Sequence, residues 1–254
     1  MLKKLNEEMA VNKDVFSINL FGFNLPVSET MITMTIITLV LVVLAIVVVK
    51  ADRFTAIPTK KQNVIEIIVD FVNKFTKDQV GHYWKTFAPY FGTILIFLFF
   101  ANIISIFNIL PSKAFFYDVL HIEAFKNFPV FKLKPPTKDI NVPATLALMS
   151  IVLVIGSTIY LKGIKSFLKT FIQPMPIMLP FKILDYMVRP LSLTLRLFGN
   201  ILAAFVLMEL VSIAMPIVAP AFASLYFDLF DGILQAYIFV FLTSLYIHEN
   251  LESI

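Results

Sequence analysis

The sequence predicts an all-α membrane protein with about five transmembrane helices, and two observations lead to that prediction. Of the 254 residues, 59% are hydrophobic and only 15% are charged, whereas soluble domains average about 45–50% apolar and about 25% charged residues. Several uncharged windows also reach the ~20 residues that a helix needs to cross a bilayer. The net charge of +4 is modest, and the lysines lie between the apolar windows. They therefore indicate membrane topology rather than a nucleic-acid surface.

Residues 1–29 form a polar segment of mixed charge. Lys3 and Lys4 resemble the start of a signal peptide, but acidic residues follow them instead of an apolar core. No small-residue cleavage site follows the next hydrophobic run. We therefore expect this segment to be retained on the extracytoplasmic side, with a turn at residues 24–26 before the first span.

Residues 30–49 contain no charged side chain and predict the first transmembrane helix. Lys50, Arg53, Lys60 and Lys61 follow this run. Because Lys and Arg accumulate in cytoplasmic loops, this end of the helix is expected to face the cytoplasm. The N-terminus is then extracytoplasmic, and five crossings place the C-terminus in the cytoplasm.

Residues 63–80 have a different pattern, which predicts an amphipathic surface helix. Glu66, Asp70, Asn73 and Lys77 are spaced by four, three and four residues, so they form one polar stripe, and apolar residues cover the rest. Such a helix lies at the membrane interface or packs on other spans.

The middle of the chain predicts two further spans separated by a loop. Residues 86–111 and 142–161 are uncharged and long enough to cross. Pro89 is expected in the first turn of the second span. Asn102, Ser105 and Asn108 recur at intervals of three in that span, which favours bonding to neighbouring helices. Residues 112–141 predict an exposed extracytoplasmic loop, which holds five lysines against seven Lys and Arg residues between positions 50 and 85.

Residues 181–215 and 220–248 predict two long helices that form a tilted hairpin. A 35-residue helix would be about 52 Å long, whereas the hydrocarbon core is ~30 Å thick. Such a helix must tilt, bend or lie partly along the membrane. Together the segments predict a single integral membrane domain over residues 1–254.

Arg196 is the residue of most interest in this hairpin. Between positions 190 and 227 only Arg196 and Glu209 are charged. A guanidinium stays protonated in proteins, and insertion scales put an arginine at mid-bilayer at a cost of roughly 2.5–3.5 kcal/mol. Its central position favours a functional role over snorkelling or a structural ion pair. On a helical wheel Asp185, Arg189 and Asn200 share its face, and Asp185 and Arg189 predict an i,i+4 ion pair.

The last helix has a narrow polar stripe. Asp228, Asp231 and Gln235 lie at i, i+3 and i+7 in otherwise apolar surroundings. Such a stripe is typical of contact with a charged neighbour or of a water-lined path. Hydration of a helix end explains Asp228 equally well, but it explains Gln235 less well because apolar residues continue on both sides.

Several blocks of the sequence resemble subunit a of the bacterial F-type ATP synthases. They are RPLSLTLRLFGN from Arg189, LQAYIFVFLTSLYIHE from Leu234, PTKDINVPATLAL from Pro136 and QPMPIMLPFKILDYMVRP from Gln173. The resemblance extends over most of the chain from Pro89 onward, with the blocks in order and suitably spaced.

The resemblance implies a non-catalytic stator subunit in the inner (plasma) membrane of the cell. The family's essential arginine corresponds to Arg196, its asparagine to Asn200 and its glutamine to Gln235. In such proteins two half-channels lead from opposite sides to a rotating c-ring, whose carboxylates carry the ion past the arginine. Its partners would be the c-ring, the subunit b peripheral stalk and lipid, and neither a cofactor nor a resident metal is implied.

The chain departs from the family where an acid–histidine pair is common. The two positions hold Phe205 and Asp228, and Phe205 cannot relay a proton. Asp228, Asp231 and Glu209 remain as carboxylates that could line an aqueous path for H⁺ or Na⁺. Because histidine suits proton transfer near neutral pH, its absence here raises Na⁺ as a candidate coupling ion.

Two other classes remain open from the residues alone. A stand-alone ion channel or secondary transporter would predict internal repeats with broken helices, and the hairpin over 181–248 has no convincing repeat. A structural scaffold does not explain Arg196 and Gln235 in uncharged surroundings.

Overall fold

The computed structural model describes residues 14–20, 23–51, 60–104, 135–165, 167–168, 177, 179–214, 222–223 and 225–252. Within these ranges the chain begins with an antiparallel strand pair and continues as long helices. In chain order the elements are β1 (Asp14–Leu20), β2 (Phe23–Ser28), α1 (Glu29–Ala51), α2 (Lys60–Val80), α3 (Trp84–Ile103), α4 (Asn141–Lys162), α5 (Leu179–Ala214) and α6 (Gly232–Glu252). A π-helix, Leu225–Asp231, leads directly into α6.

Five helical stretches are long and apolar enough to cross a membrane. They are Glu29–Val48, Gln62–Ile103, Asn141–Lys162, Leu179–Met208 and Leu225–Leu251. The chain is therefore a multi-pass, all-α membrane protein, and the predicted number of spans is confirmed. The tilt of the last two helices stays a prediction.

The strand pair was not predicted. Asn24, Leu25 and Pro26 lie within β2 and pair with β1, so the turn expected at these residues is wrong. Apolar and polar residues alternate from Phe16 to Leu20, which is the two-residue period of a strand. Pro26 is tolerated because both strands of a two-stranded sheet are edge strands.

The amphipathic helix and the second span form one helical stretch with an interruption. Between α2 and α3 lies the short 3₁₀-helix Gly81–Tyr83, where Gly81 has φ of +62°. Such a φ is available to glycine at little cost. Since α3 begins at Trp84, Pro89 lies inside the helix and not in its first turn as predicted. The part of this span predicted beyond residue 104 lies outside the described residues.

The chain divides into two compact units. Unit 1 comprises Met1–Val42, Phe97–Val142 and Phe198–Leu234. Unit 2 comprises Val43–Ile96, Pro143–Leu197 and Gln235–Ile254. The single integral domain stays a prediction.

Unit 2 packs the surface helix on two spans. Val72 of α2 lies against Gly92 of α3, where an added Cβ would be 3.3 Å from Val72 Cγ1. The Phe75 ring meets the Tyr237 ring of α6 edge to face at 5.5 Å. The α2 side chains at Val64, Ile67, Ile68 and Phe71 stay exposed. These residues are spaced by three or four positions or are adjacent, so they lie on one side of the helix. This side of α2 is an exposed apolar surface.

Candidate functional site

Arg196 lies on the exposed surface of α5 in unit 2. The side chains of Leu193, Thr194 and Leu197 beside it are buried. In the part of the chain that the structure describes, Arg196 makes no hydrogen bond or ion pair.

Arg189, two turns earlier on α5, is ion-paired with other residues of the chain. One of its amino groups, Nη2, donates to Asp185 Oδ2 at 2.6 Å and to Glu249 Oε2 of α6 at 2.8 Å. The guanidinium also lies 4.6 Å from the centroid of the Tyr246 ring, within the ~6 Å range of a cation–π contact. The predicted Asp185–Arg189 ion pair is confirmed, and Arg189 is neutralised within the chain.

A hydrogen-bond network continues from this cluster to the ends of three helices. Tyr186 on α5 donates to Asn250 Oδ1 on α6, and Asn250 Nδ2 donates to the Tyr246 carbonyl at 2.7 Å. Lys162, the last residue of α4, donates to the Asn250 carbonyl at 3.1 Å. These bonds hold the C-terminal turns of α6 in place beside the first half of α5.

The two amides predicted for the site differ in exposure. Asn200 is half-buried on α5, one turn after Arg196. Gln235, the fourth residue of α6, is only 2% exposed. Burial of a polar amide in a transmembrane helix is consistent with a contact inside the protein, so Gln235 is part of the interior and not of the arginine surface.

The three predicted carboxylates belong to two helices. Asp231 is half-buried at the end of the π-helix. Asp228 belongs to the same π-helix and Glu209 to α5, but their side chains lie outside the described part. Within the long helix predicted over 220–248, residues Leu225–Asp231 form a π-helix and α6 begins at Gly232. Single π turns within α-helices are frequent at functional sites.

Unit 1 contains a buried polar contact centred on Asn102 of α3. Asn102 Nδ2 donates to the Gly232 carbonyl at 3.1 Å, and Thr137 Oγ1 donates to Asn102 Oδ1 at 3.0 Å. The expectation that Asn102 bonds to neighbouring elements is confirmed. Ser105 and Asn108 lie outside the described residues. An added Cβ at Gly232 would lie 3.0 Å from Asn102 Cβ, which is tighter than most Cβ contacts in proteins, so the close approach favours glycine.

The turn before α4 corrects the prediction of an exposed loop over 112–141 at residues 136–139 only, since residues 112–134 lie outside the described residues. Pro136, Thr137, Lys138 and Asp139 are all buried. Asp139 Oδ1 accepts from the backbone and side-chain nitrogens of Asn141 at the start of α4. The Lys138 ammonium lies 3.2 Å from the centroid of the Phe205 ring on α5. The sequence predicts that Lys138 is one of the exposed lysines of a loop, because sequence alone does not show which residues of a loop pack against a distant helix.

Among the described residues, no three His, Asp or Glu side chains are grouped closely enough to hold a metal ion, and the sequence contains no cysteine. Residues that sequence reasoning missed are Glu249, Asn250, Tyr186 and Lys138. The first two lie in the last turns of α6, where polar residues are expected to face water. Only the partners on other helices reveal their structural role.

These features define a class: a multi-pass helical membrane protein with an exposed arginine on a long spanning helix. The family model described as ATP synthase A chain matches residues 31–248. The chain belongs to this family, which confirms the resemblance of the RPLSLTLRLFGN and LQAYIFVFLTSLYIHE blocks. It is 33% identical over 195 residues to the sodium-ion-specific ATP synthase subunit a of Propionigenium modestum. The alignment covers 77% of this chain and 65% of that relative.

Proposed function

We propose that this chain is the ion-translocating stator subunit of a rotary F-type ATP synthase. It provides two half-channels to the c-ring and couples the passage of H⁺ or Na⁺ to ATP synthesis or hydrolysis. The chain itself is non-catalytic, since nucleotide turnover takes place on other subunits. Its partners are the c-ring, the subunit b peripheral stalk and the bilayer of the inner membrane.

The observation that carries this proposal is the exposed guanidinium of Arg196. An unpaired arginine facing lipid costs several kcal/mol by any scale, whereas an opposite carboxylate or water offsets that cost. A ring of carboxylates passing this surface supplies the counter-charge. Arg196 in turn favours the ionised form of each passing carboxylate, because an opposite charge within about 4–6 Å lowers a carboxyl pKa.

Arg189 supports the assignment by contrast. It is bonded to Asp185 and Glu249 and lies on the Tyr246 ring. Its positive charge is therefore balanced by two carboxylates of this chain. The two arginines of the RPLSLTLR segment therefore have different roles. Arg189 holds α5 and α6 together, and Arg196 faces the c-ring.

The other proposed roles follow the polar residues around this surface. Asn200 lies one turn beyond Arg196 and contributes a polar contact on the same side of α5. Gln235 supports the site from the interior. Asp228, Asp231 and Glu209 supply negative charge to a hydrated path, which lowers the cost of bringing a cation to the ring.

The coupling ion is H⁺ or Na⁺. The Propionigenium relative is named as specific for sodium ions, and Phe205 offers no titratable group for a proton relay. Sodium requires oxygen ligands and water, which carboxylates along the path would provide. ATP hydrolysis by the purified complex, measured with and without millimolar Na⁺ at neutral and alkaline pH, separates the two ions. Stimulation by Na⁺ and protonophore-insensitive Na⁺ uptake identify sodium, whereas indifference to Na⁺ and pumping abolished by a protonophore identify protons.

Replacement of Arg196 tests the proposed function directly. In Arg196→Ala we expect ATP synthesis and ATP-driven pumping to fall to background while the complex still assembles, since the side chain is exposed and makes no bond within the described chain. Arg196→Lys is the matched control: it keeps a charge but loses the planar guanidinium and deprotonates more readily, so activity stays well below that of the wild type. Normal coupled synthesis in an assembled Arg196→Ala complex would refute the proposal.

A further inference from the structure

Two neighbouring features weaken α5 at the start of its arginine-bearing half. Pro190 lies inside this helix, and because proline has no N–H group it cannot donate to the carbonyl of Tyr186 one turn earlier. Thr194 Oγ1 donates to the Pro190 carbonyl at 2.8 Å, and such a bond from a threonine hydroxyl to the i−4 carbonyl often bends a helix. Sharp kinks in helices occur mostly at positions of this kind. The segment 186–194 is therefore the place where α5 bends most readily.

The helix turn that precedes this weak point is bonded to the end of α6. The Tyr186 hydroxyl donates to Asn250 Oδ1, and Arg189 Nη2 donates to Glu249 Oε2 at 2.8 Å. The Arg189 guanidinium also lies 5.6 Å from the centroid of the Tyr186 ring and 4.6 Å from that of the Tyr246 ring. The Arg189 side chain is only 14% exposed. Together, the contacts of Tyr186 and Arg189 with the last turns of α6 form a clamp.

The end of α6 that receives the clamp is itself anchored to α4. Lys162 Nζ donates to the Asn250 carbonyl at 3.1 Å. Two turns earlier on α6, Thr243 Oγ1 donates to Ser150 Oγ of α4 at 3.2 Å, and both hydroxyl-bearing side chains are buried. Because α4 and α6 are bonded at two places, the clamp holds α5 against a frame of two helices.

We propose that Arg189 and Tyr186 are positioning residues. They clamp α5 to α6 immediately before Pro190, prevent the helix from bending there, and so hold the half that carries Arg196 in one direction relative to α4 and α6. Arg196 follows Arg189 by two turns, about 10 Å along the helix axis, so a bend between them changes where the Arg196 guanidinium points. The inference rests on the proposed function of Arg196 and gives its neighbours a role in that function beyond joining two helices.

The size of the movement follows from helix geometry. Leu179, the first residue of α5, lies about 16 Å before Pro190 at 1.5 Å per residue. A bend of about 20°, the lower limit of a sharp kink, moves that end by about 6 Å relative to the other half of the helix. Distances between two spin labels resolve a movement of this size.

Spin-label distances in the whole complex test the clamp directly. The labels replace Phe181 on α5 and Tyr160 on α4, which are 69% and 84% exposed, and this chain has no cysteine that would compete for the label. In the wild type we expect one narrow distance distribution. In Arg189→Met, which removes the ion pairs but keeps a long apolar side chain, the distribution should broaden by about 6 Å. ATP synthesis should fall about three- to tenfold, because a displaced Arg196 meets each passing carboxylate less favourably.

A suppressor substitution separates positioning from general stability. Pro190→Ala restores the backbone donor to the Tyr186 carbonyl and removes the cause of bending. In the Arg189→Met background it should narrow the distances again and return ATP synthesis to within about twofold of the wild type. Gly156→Ala on α4 is the matched control, because it also raises helix propensity but no atom lies within 4 Å of the added Cβ. It should restore neither quantity.

An unchanged distance distribution in an assembled Arg189→Met complex overturns the inference, and so does failure of Pro190→Ala to restore the distances. Equal restoration by Gly156→Ala shows that stability alone governs the effect and overturns it as well. Where Arg189→Met does not assemble, Tyr186→Phe, which removes a single hydroxyl bond to α6, is measured by the same criteria with a smaller expected shift. A wild-type complex that transports neither H⁺ nor Na⁺ overturns the proposed function instead, while the distances still decide whether the clamp exists.

Discussion

Gly232 offers the sharpest test of the packing in unit 1. A Cβ added at this position would lie 3.0 Å from Asn102 Cβ, and neither atom can move without its backbone. The same substitution displaces Asn102 from the Gly232 carbonyl, to which it is bonded at 3.1 Å. Gly232→Ala should therefore strain the contact between α3 and the start of α6.

The expected change in the free energy of unfolding follows from two destabilising terms and one stabilising term. Overpacking of a close contact typically costs about 1–3 kcal/mol, and loss of the hydrogen bond adds about 0.5–1.5 kcal/mol. Alanine in place of glycine within a helix returns roughly 0.5–1 kcal/mol. We expect Gly232→Ala to lower the free energy of unfolding by about 1–3 kcal/mol on the balance of these terms.

Gly156 on α4 provides a matched control, because no atom lies within 4 Å of a Cβ built there. Gly156→Ala should leave stability unchanged or raise it by up to about 1 kcal/mol. The assay is SDS-induced unfolding of the purified chain in mild detergent, with both variants measured beside the wild type. A Gly232→Ala variant as stable as Gly156→Ala would refute the reasoning.

A second substitution tests whether Asn102 and Gly232 are energetically coupled. Asn102→Gly removes the Cβ that causes the clash and also the amide that makes the bond. Asn102→Gly should lower the free energy of unfolding less in the Gly232→Ala background than in the wild type, because there it also relieves the strain that the alanine introduces. Additive effects of the two substitutions would show that the 3.0 Å approach does not govern the contact.

The remaining predictions concern the arginine cluster and the topology. Arg189→Ala removes two ion pairs and a cation–π contact, so it should destabilise the chain by about 1–3 kcal/mol in SDS-induced unfolding. Glu249→Gln, which removes one half-exposed partner, should cost no more than about 1 kcal/mol; equal effects of the two changes would contradict the proposed role of Arg189. Cysteines introduced at Ser17 and Ser253 should be labelled by an impermeant reagent from opposite sides of the membrane, because the proposed topology has five crossings. Labelling of both from one side would refute that topology.

The sequence by itself determined the class of the protein and the bounds of most helices. Uncharged windows at 30–49 and 142–161 correspond to α1 and α4 within two residues at each end. A helix in a bilayer must satisfy every backbone hydrogen bond within itself, so a long apolar run leaves little choice of structure. The Asp185–Arg189 pair was likewise predictable, because i,i+4 neighbours on a helix meet whatever surrounds them.

Tertiary structure decided which polar residues face each other. Periodicity placed Arg189 and Arg196 on one face of α5, but only the packing of α6 shows that the first contacts Glu249 and Tyr246, whereas the second is exposed. The burial of Lys138 against Phe205 joins positions 67 residues apart in sequence, and the contact of Asn102 with Gly232 joins positions 130 apart. A local pattern fixes the direction of a side chain relative to its own helix. The partner it meets there depends on how distant segments pack, and that is a property of the folded chain alone.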